Sequence, residues 1–254
     1  MDVSGLGVVI TGGASGLGGA TAKVLADAGA KVTIFDLNEE LGTSHAASIG
    51  GQFVKVNVAS EDEVIAGFDA AEAAFGTTRV LVNCAGIAVA VKTVGKDGAH
   101  SLDLFKKVVD VNLNGTFNCI RIAAERMCKA GRVDGSEEGG VIINTASVAA
   151  YDGQIGQAAY SATKGGVVGM TLPIARDLAR DGIRVCTIAP GLFHTPLFHG
   201  LPEEAVKTLS ASVPNPSRLG DPVEYGKLAA HIVDNAYLNG ETIRLDGAIR
   251  MAPR

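Results

Sequence analysis

Short β-branched runs alternate with longer amphipathic segments along the 254-residue chain. Residues 7–11, 31–36, 52–58, 80–83, 141–147, 184–189 and 242–245 read as strands. Between them, residues 18–28, 61–75, 102–127, 157–179 and 222–233 carry apolar side chains at i, i+3 and i+4, the spacing of a helix with one buried face. This alternation predicts one doubly wound α/β domain, a seven-stranded, mainly parallel sheet with helices on both faces and right-handed crossovers. Near-continuous apolar strands such as Gly7-Val8-Val9-Ile10 fit that picture, because a sheet covered on both sides has no wet face to leave polar. Residues 92–101 and 131–140 are rich in glycine and charge and read as surface loops. Pro173 predicts a kink or local break in the 157–179 helix.

Composition sharpens this outline. The length suits a single domain over residues 1–254, and 33 glycines without a tryptophan suit a core of small aliphatic side chains crossed by tight turns. A net charge of -5 offers no basic field for nucleic acid or an anionic membrane surface, so neither is an expected partner. No apolar run reaches the ~18 residues of a membrane span. Cys84, Cys119, Cys128 and Cys186 form neither a C-x-x-C pair nor a His-Cys metal spacing, so reduced thiols and no metal are expected. The chain enters its first apolar run at once, without a charged leader, which reads as cytoplasmic.

The first strand runs into Thr11-Gly12-Gly13-Ala14-Ser15-Gly16-Leu17-Gly18 and then a helix. Gly12 would let the chain turn off the strand, Gly16 would admit a pyrophosphate and Gly18 would pack the helix on the sheet, with Ser15 and Leu17 beside the phosphates. The helix N-terminus supplies unpaired N–H groups and partial positive charge. An ordinary tight turn would share the glycines. The second strand, however, ends in Asp36, twenty residues beyond Gly16, where a carboxylate can accept from both adenosine ribose hydroxyls and repel a 2′-phosphate. That is the Rossmann arrangement, with NAD favoured over NADP. Asp36 or Asn38 would equally serve as the cap of a following helix.

Tyr160 and Lys164 lie four apart on a predicted helix and so share a face. A phenol with a pKa near ~10 is a poor base, and an adjacent ammonium is expected to lower it by about 1 to 3 units. Ser147 ends an apolar strand, where its hydroxyl would bond the reacting oxygen. Each feature alone suits a plain helix or strand; together they predict hydride transfer between nicotinamide and a secondary alcohol or ketone, with Tyr160 as acid and base.

The chain resembles the short-chain dehydrogenase/reductase family over nearly its whole length, through the glycine turn ending at Gly18, Asn83-Cys84-Ala85-Gly86, Asn112, Ser147, Tyr160, Lys164 and Pro190-Gly191 with Thr195. The resemblance implies a catalytic tetrad of Asn112, Ser147, Tyr160 and Lys164, with Asn112 holding a water that relays the proton. A packing or capping amide is the alternative for Asn112. The resemblance also places Pro190, Phe193 and Thr195 along the nicotinamide, Cys84, Ala85 and Gly86 on the cofactor, and Asn57-Val58 at the adenine, where the family usually has Asp-Val.

Residues 144–150, 153–160, 216–221 and 239–251 further resemble the family's 3-hydroxyacyl-CoA and hydroxysteroid dehydrogenases. This implies conversion of (S)-3-hydroxyacyl-CoA to 3-oxoacyl-CoA with NAD in a homotetramer built on the Asn112 and Tyr160 helices. Gln154 and Gln157 would flank the substrate beside Ser147 and Tyr160. An apolar lid would span about residues 191–218, Lys92 and Lys96 would meet the CoA arm, and His194 and His199 read as lid packing. An NADPH-linked carbonyl reductase, an alcohol or hydroxysteroid dehydrogenase, and a non-catalytic NAD-binding scaffold are the competing functions.

Overall fold

The computed structural model describes residues 1–96, 98–196 and 203–253. The first half alternates β1 (Gly7–Thr11), α1 (Gly16–Asp27), β2 (Lys31–Asp36), α2 (Glu39–Ser48), β3 (Gln52–Lys55), α3 (Glu61–Phe75) and β4 (Thr78–Asn83). A two-residue hairpin, β5 (Val94–Gly95) and β6 (Gly98–Ala99), then precedes α4 (Leu102–Val109) and α5 (Gly115–Ala130). The second half holds β7 (Gly140–Thr145), α6 (Ala158–Asp177), β8 (Ile183–Pro190), α7 (Glu203–Ala211), α8 (Pro222–Asp234) and β9 (Thr242–Leu245).

The main sheet is seven-stranded in the order β3-β2-β1-β4-β7-β8-β9. Every pairing in it is parallel, with Val8 opposite Val32 and Val80, and Ile143 opposite Cys186. All seven strands read from the sequence are present. The direction in which strands are added reverses between β1 and β4, which opens a crevice at their carboxyl ends. Alternate residues feed two cores. Val8, Ile10, Val80 and Ile143 pack with Leu25 of α1 and with Tyr225 and Ala229 of α8. Val9, Leu81 and Ile142 pack on the other face with Phe68 of α3, Ile120 of α5 and Ile174 of α6. Burial on both sides is why these strands show no polar alternation.

The structure departs from the sequence reading in three ways. The 102–127 helix is interrupted by a π turn, Asp110–Asn114, between α4 and α5. Such a turn takes one residue more per hydrogen bond than the regular ladder and turns a chosen side chain inward. The break expected at Pro173 is absent, since α6 runs unbroken from Ala158 to Asp177. Proline removes one donor there, while Thr171 Oγ1, two residues earlier, bonds Val167 O at 2.8 Å and Thr187 Oγ1 of β8 at 2.6 Å and ties that turn to the sheet. Finally α2, α7 and the β5–β6 hairpin form where no element was read. α2 buries only Gly42 and Ala46, so it has no apolar stripe to reveal it. Among the described residues, no helix is long and apolar enough to cross a membrane.

Candidate active site

A cleft of about 600 Å³ opens at the carboxyl ends of β1, β2 and β4. Gly12, Ser15, Gly16, Leu17 and Gly18 form its floor, Asp36, Asn57 and Val58 one wall, and Cys84, Ala85, Gly86 and Thr195 further parts of its lining. Gly12 has φ +64°, and a Cβ there would lie 2.7 Å from Ala85 N. A Cβ on Gly18 would run into the Gly12 carbonyl oxygen. The turn is therefore built for backbone with no side chains. Thr11 Oγ1 secures its far side by accepting from Ala85 N–H at 3.1 Å. Ser15 caps α1 in an extended conformation without a side-chain bond to the helix, so the first-turn N–H groups face the cleft. A bare cradle ringed by donors suits a pyrophosphate.

The Asp36 carboxylate accepts from Ala14 N–H at 3.1 Å and Asn38 N–H at 3.0 Å, which fixes it at the end of β2. Asn38, and not Asp36, caps α2, accepting from Leu41 N–H at 3.0 Å. Of the two roles considered for Asp36, the structure leaves it at the cleft.

Ser147 follows β7, buried, with its Oγ accepting from Ala149 N–H at 3.1 Å. Tyr160 and Lys164 occupy successive turns of α6, and the Lys164 Nζ lies 5.7 Å from the Tyr160 ring centroid. The Lys164 ammonium is buried and donates to Thr145 O at 2.7 Å. Burial pulls its pKa down to about 8. The lowering expected for Tyr160 is not found. Burial pushes the phenol above its ordinary value, against an opposing hydrogen bond with Ser147. The cause is desolvation: stripping the phenolate of water costs more than the hydrogen bond with Ser147 returns.

Asn112 sits in the π turn, fully buried. Its Oδ1 accepts from Ile87 N–H at 2.8 Å, and its Nδ2 donates to Ile87 O at 2.8 Å and to Thr163 Oγ1 at 3.3 Å. Both amide hydrogens are thus engaged, and the side chain clamps the loop after β4 to α6. A Cβ on Gly86 would lie 3.2 Å from Asn112 Oδ1 and 3.7 Å from Lys164 Nζ, so these two groups converge behind the loop.

Other expected site residues are placed differently. Pro190 closes β8, buried and paired with Leu245. Phe193 turns its ring into the core against Gly220, where a Cβ would meet it at 2.7 Å, and not onto the cleft. Gln157 Oε1 accepts from Gln154 N–H at 2.9 Å, and Gln154 Nε2 donates to Ala252 O at 2.9 Å, so both amides brace the loop before α6. Of the lid, residues 197–202, including His199, lie outside the described residues.

The sequence reading missed Thr145 and Tyr225. Thr145 Oγ1 donates to Asn83 O at 2.6 Å and shares a 2.7 Å hydrogen bond with the Tyr225 hydroxyl, while its carbonyl holds Lys164. A lone tyrosine on the apolar face of α8 was the available signal, because a buried hydroxyl requires a partner. The Cys84 thiol lies beside this network and is pushed up by burial.

A family model described as short chain dehydrogenase matches residues 7–205. The chain is 56% identical to 3-hydroxyacyl-CoA dehydrogenase type-2 of Rattus norvegicus, with 99% of this chain and 98% of the relative aligned. It is 53% identical to the protein of that name from Drosophila melanogaster, over 96% of this chain and 97% of the relative. The crystal structure of 3-hydroxyacyl-CoA dehydrogenase type-2 from Mycobacterium avium superposes with a TM-score of 0.94 at 43% identity, covering 98% of both chains. With this fold, this cleft and these relatives, the chain belongs to the short-chain dehydrogenase family and is an oxidoreductase that works with a nicotinamide cofactor.

Proposed function

We propose that the protein uses NAD to oxidise (S)-3-hydroxyacyl-CoA thioesters to 3-oxoacyl-CoA, and catalyses the reverse reduction. The observation that carries the chemistry is the gathering of Ser147, Tyr160 and Lys164, with the Lys164 ammonium behind Gly86 of the cleft whose wall also holds Asp36. Asp36 supports NAD, since a fixed carboxylate suits two ribose hydroxyls and repels a phosphate. The substrate class is supported by the relatives' names and by the 144–150 and 239–251 stretches.

When bound, the nicotinamide accepts or returns the hydride. Ser147 holds the reacting oxygen by a hydrogen bond. Tyr160 takes the hydroxyl proton during oxidation and gives it back during reduction. With its pKa held up by burial, Tyr160 is protonated at neutral pH, ready as the acid for reduction. Oxidation therefore gains as pH rises. Lys164 supplies positive charge to the phenolate while it remains protonated, up to about pH 8. Asn112 keeps Ile87 and Thr163 in place around the pair.

We further propose that residues 1–254 act as one catalytic domain and assemble as a homotetramer, that the region 191–218 covers the acyl chain, and that Lys92 and Lys96, exposed beside the β5–β6 hairpin, meet the CoA phosphates. Four free cysteines suit a reducing compartment such as the cytoplasm. The test is NADH production from 3-hydroxyacyl-CoA thioesters of graded length, hydroxysteroids and short alcohols, repeated with NADP. Thioester turnover faster with NAD is expected. Turnover of steroids or short alcohols alone would remove the acyl-CoA assignment, and a preference for NADP would remove the role given to Asp36.

A further inference from the structure

Ser147 stands at the head of residues 148–157 and Tyr160 in the first turn of α6 at their foot, and the two side chains share a hydrogen bond. The stretch between them has one short 3-10 turn, Val148–Ala150, and is otherwise a loop. Its middle lies against α6, since a Cβ on Gly153 would meet Ser161 Oγ at 2.5 Å. A shift of the loop therefore reaches the residue next to Tyr160 directly. On one side the loop is held by Val91 N–H, which donates to Gly156 O at 2.9 Å. On the other it is held by residues 244–253. Ile155 N–H donates to Pro253 O at 3.0 Å, Gln154 Nε2 to Ala252 O at 2.9 Å, and the Asp152 carboxylate accepts from Arg244 Nη2 at 2.6 Å.

Arg244 is the centre of that second fastening. Ile243 and Leu245 of β9 pack into the core with α8, so the alternation of the strand sends Arg244 to the opposite face. There its guanidinium spans three pieces of chain, donating to Asp152, to Asp246 through Nε at 2.7 Å and to Ile249 O at 3.0 Å, and it lies 5.3 Å from the centre of the Tyr151 ring. Asp246 also accepts from Ala248 N–H at 3.0 Å and Arg250 at 3.2 Å, which folds residues 246–250 around the same point. A planar fork meets these partners together, where a lysine would bring one point charge. We propose that Arg244 is a positioning residue for hydride transfer: through Asp152 and residues 246–253 it fixes the loop that sets Ser147 against Tyr160. It acts through the loop and not on the substrate. This role rests on the reading of Ser147 and Tyr160 as the reacting pair.

Single-turnover formation of NADH, with the alcohol of the panel above that the wild type oxidises fastest, reads the hydride step apart from product release, and calorimetry with NAD counts the folded sites. Asp152→Ala and Arg244→Gln are each expected to slow that step about tenfold while the Kd for NAD stays within about twofold. The double variant is expected to fall no further than Arg244→Gln alone, because the two residues make one tie. A role in stability alone would lower the melting temperature and leave the rate per folded site at the wild-type value. That result would overturn the proposal, as would losses that multiply in the double variant. Asp152→Ala, at a partly exposed carboxylate, decides alone if Arg244→Gln does not fold. Tyr160→Phe, measured alongside, separates the two readings. Retained turnover there would remove the reacting pair and this role with it, whereas loss there beside a wild-type rate in Asp152→Ala would remove the role of Arg244 only.

Discussion

The glycine turn lines the cleft and the catalytic cluster lies against the Gly86 loop beside it, yet the two are built on opposite principles. Residues 12–18 work through what they lack: backbone donors approach a ligand because no Cβ stands in the way. The cluster of Asn112, Ser147, Tyr160 and Lys164 works through side chains, with the charge states of Tyr160 and Lys164 set by burial. The first requirement is local and steric. The second is distributed over three stretches of chain and electrostatic, so the two regions are expected to fail in different ways.

The largest effect falls on the cluster. Tyr160→Phe removes the proton carrier while leaving the turn intact, so kcat is expected to fall about a thousandfold with NAD binding within about threefold of wild type. Steady-state rates and calorimetry measure the two separately. Retained turnover would remove Tyr160 from the chemistry. Gly18→Ala should produce the opposite pattern. Its methyl group meets the Gly12 carbonyl, so NAD binding is expected to weaken about a hundredfold and stability to drop by about 1 to 3 kcal/mol. Unchanged binding and melting would show that the turn has room to spare.

The smallest effect is a pH signature. Below about pH 8 both folded and unfolded chains carry the Lys164 charge, and the cost of burying it stands in full. Between about 8 and the ordinary lysine value of 10.5, the folded chain has released a proton that the unfolded chain still holds, so stability rises with pH. That rise amounts to about 3 kcal/mol at most. Denaturant titrations of wild type and Lys164→Met across this range should diverge, with the variant lacking the rise. Parallel curves would place the Lys164 ammonium in water.

The same contrast explains what could be read from the sequence. The turn was legible because its requirements lie within eight consecutive residues and one carboxylate, and Gly12, Gly18 and Asp36 all stand on the cleft. Tyr160 and Lys164 were legible as a pair by their spacing, but the sign of the Tyr160 shift was not, because desolvation depends on what covers the ring. Thr145 and Tyr225 meet only when β7 and α8 pack together, 80 residues apart in sequence. Phe193 was assigned to the nicotinamide by resemblance, yet Gly220 lacks the atom that would keep its ring out of the core. Buried parallel strands announced themselves by continuous apolar runs. α2, with an almost wholly wet surface, had no such signal to give.

The π turn at Asp110–Asn114 sets a phase between two rods. Each residue of an ordinary helix advances the direction of its side chains by about 100°, so one additional residue rotates everything downstream by that amount. α4 can thus turn Lys107 toward the cleft while α5 still sends Cys119, Ala123 and Met127 into the core beneath the sheet. Removing a single residue from this segment would leave the composition nearly unchanged and put one of those two faces out of step with its target.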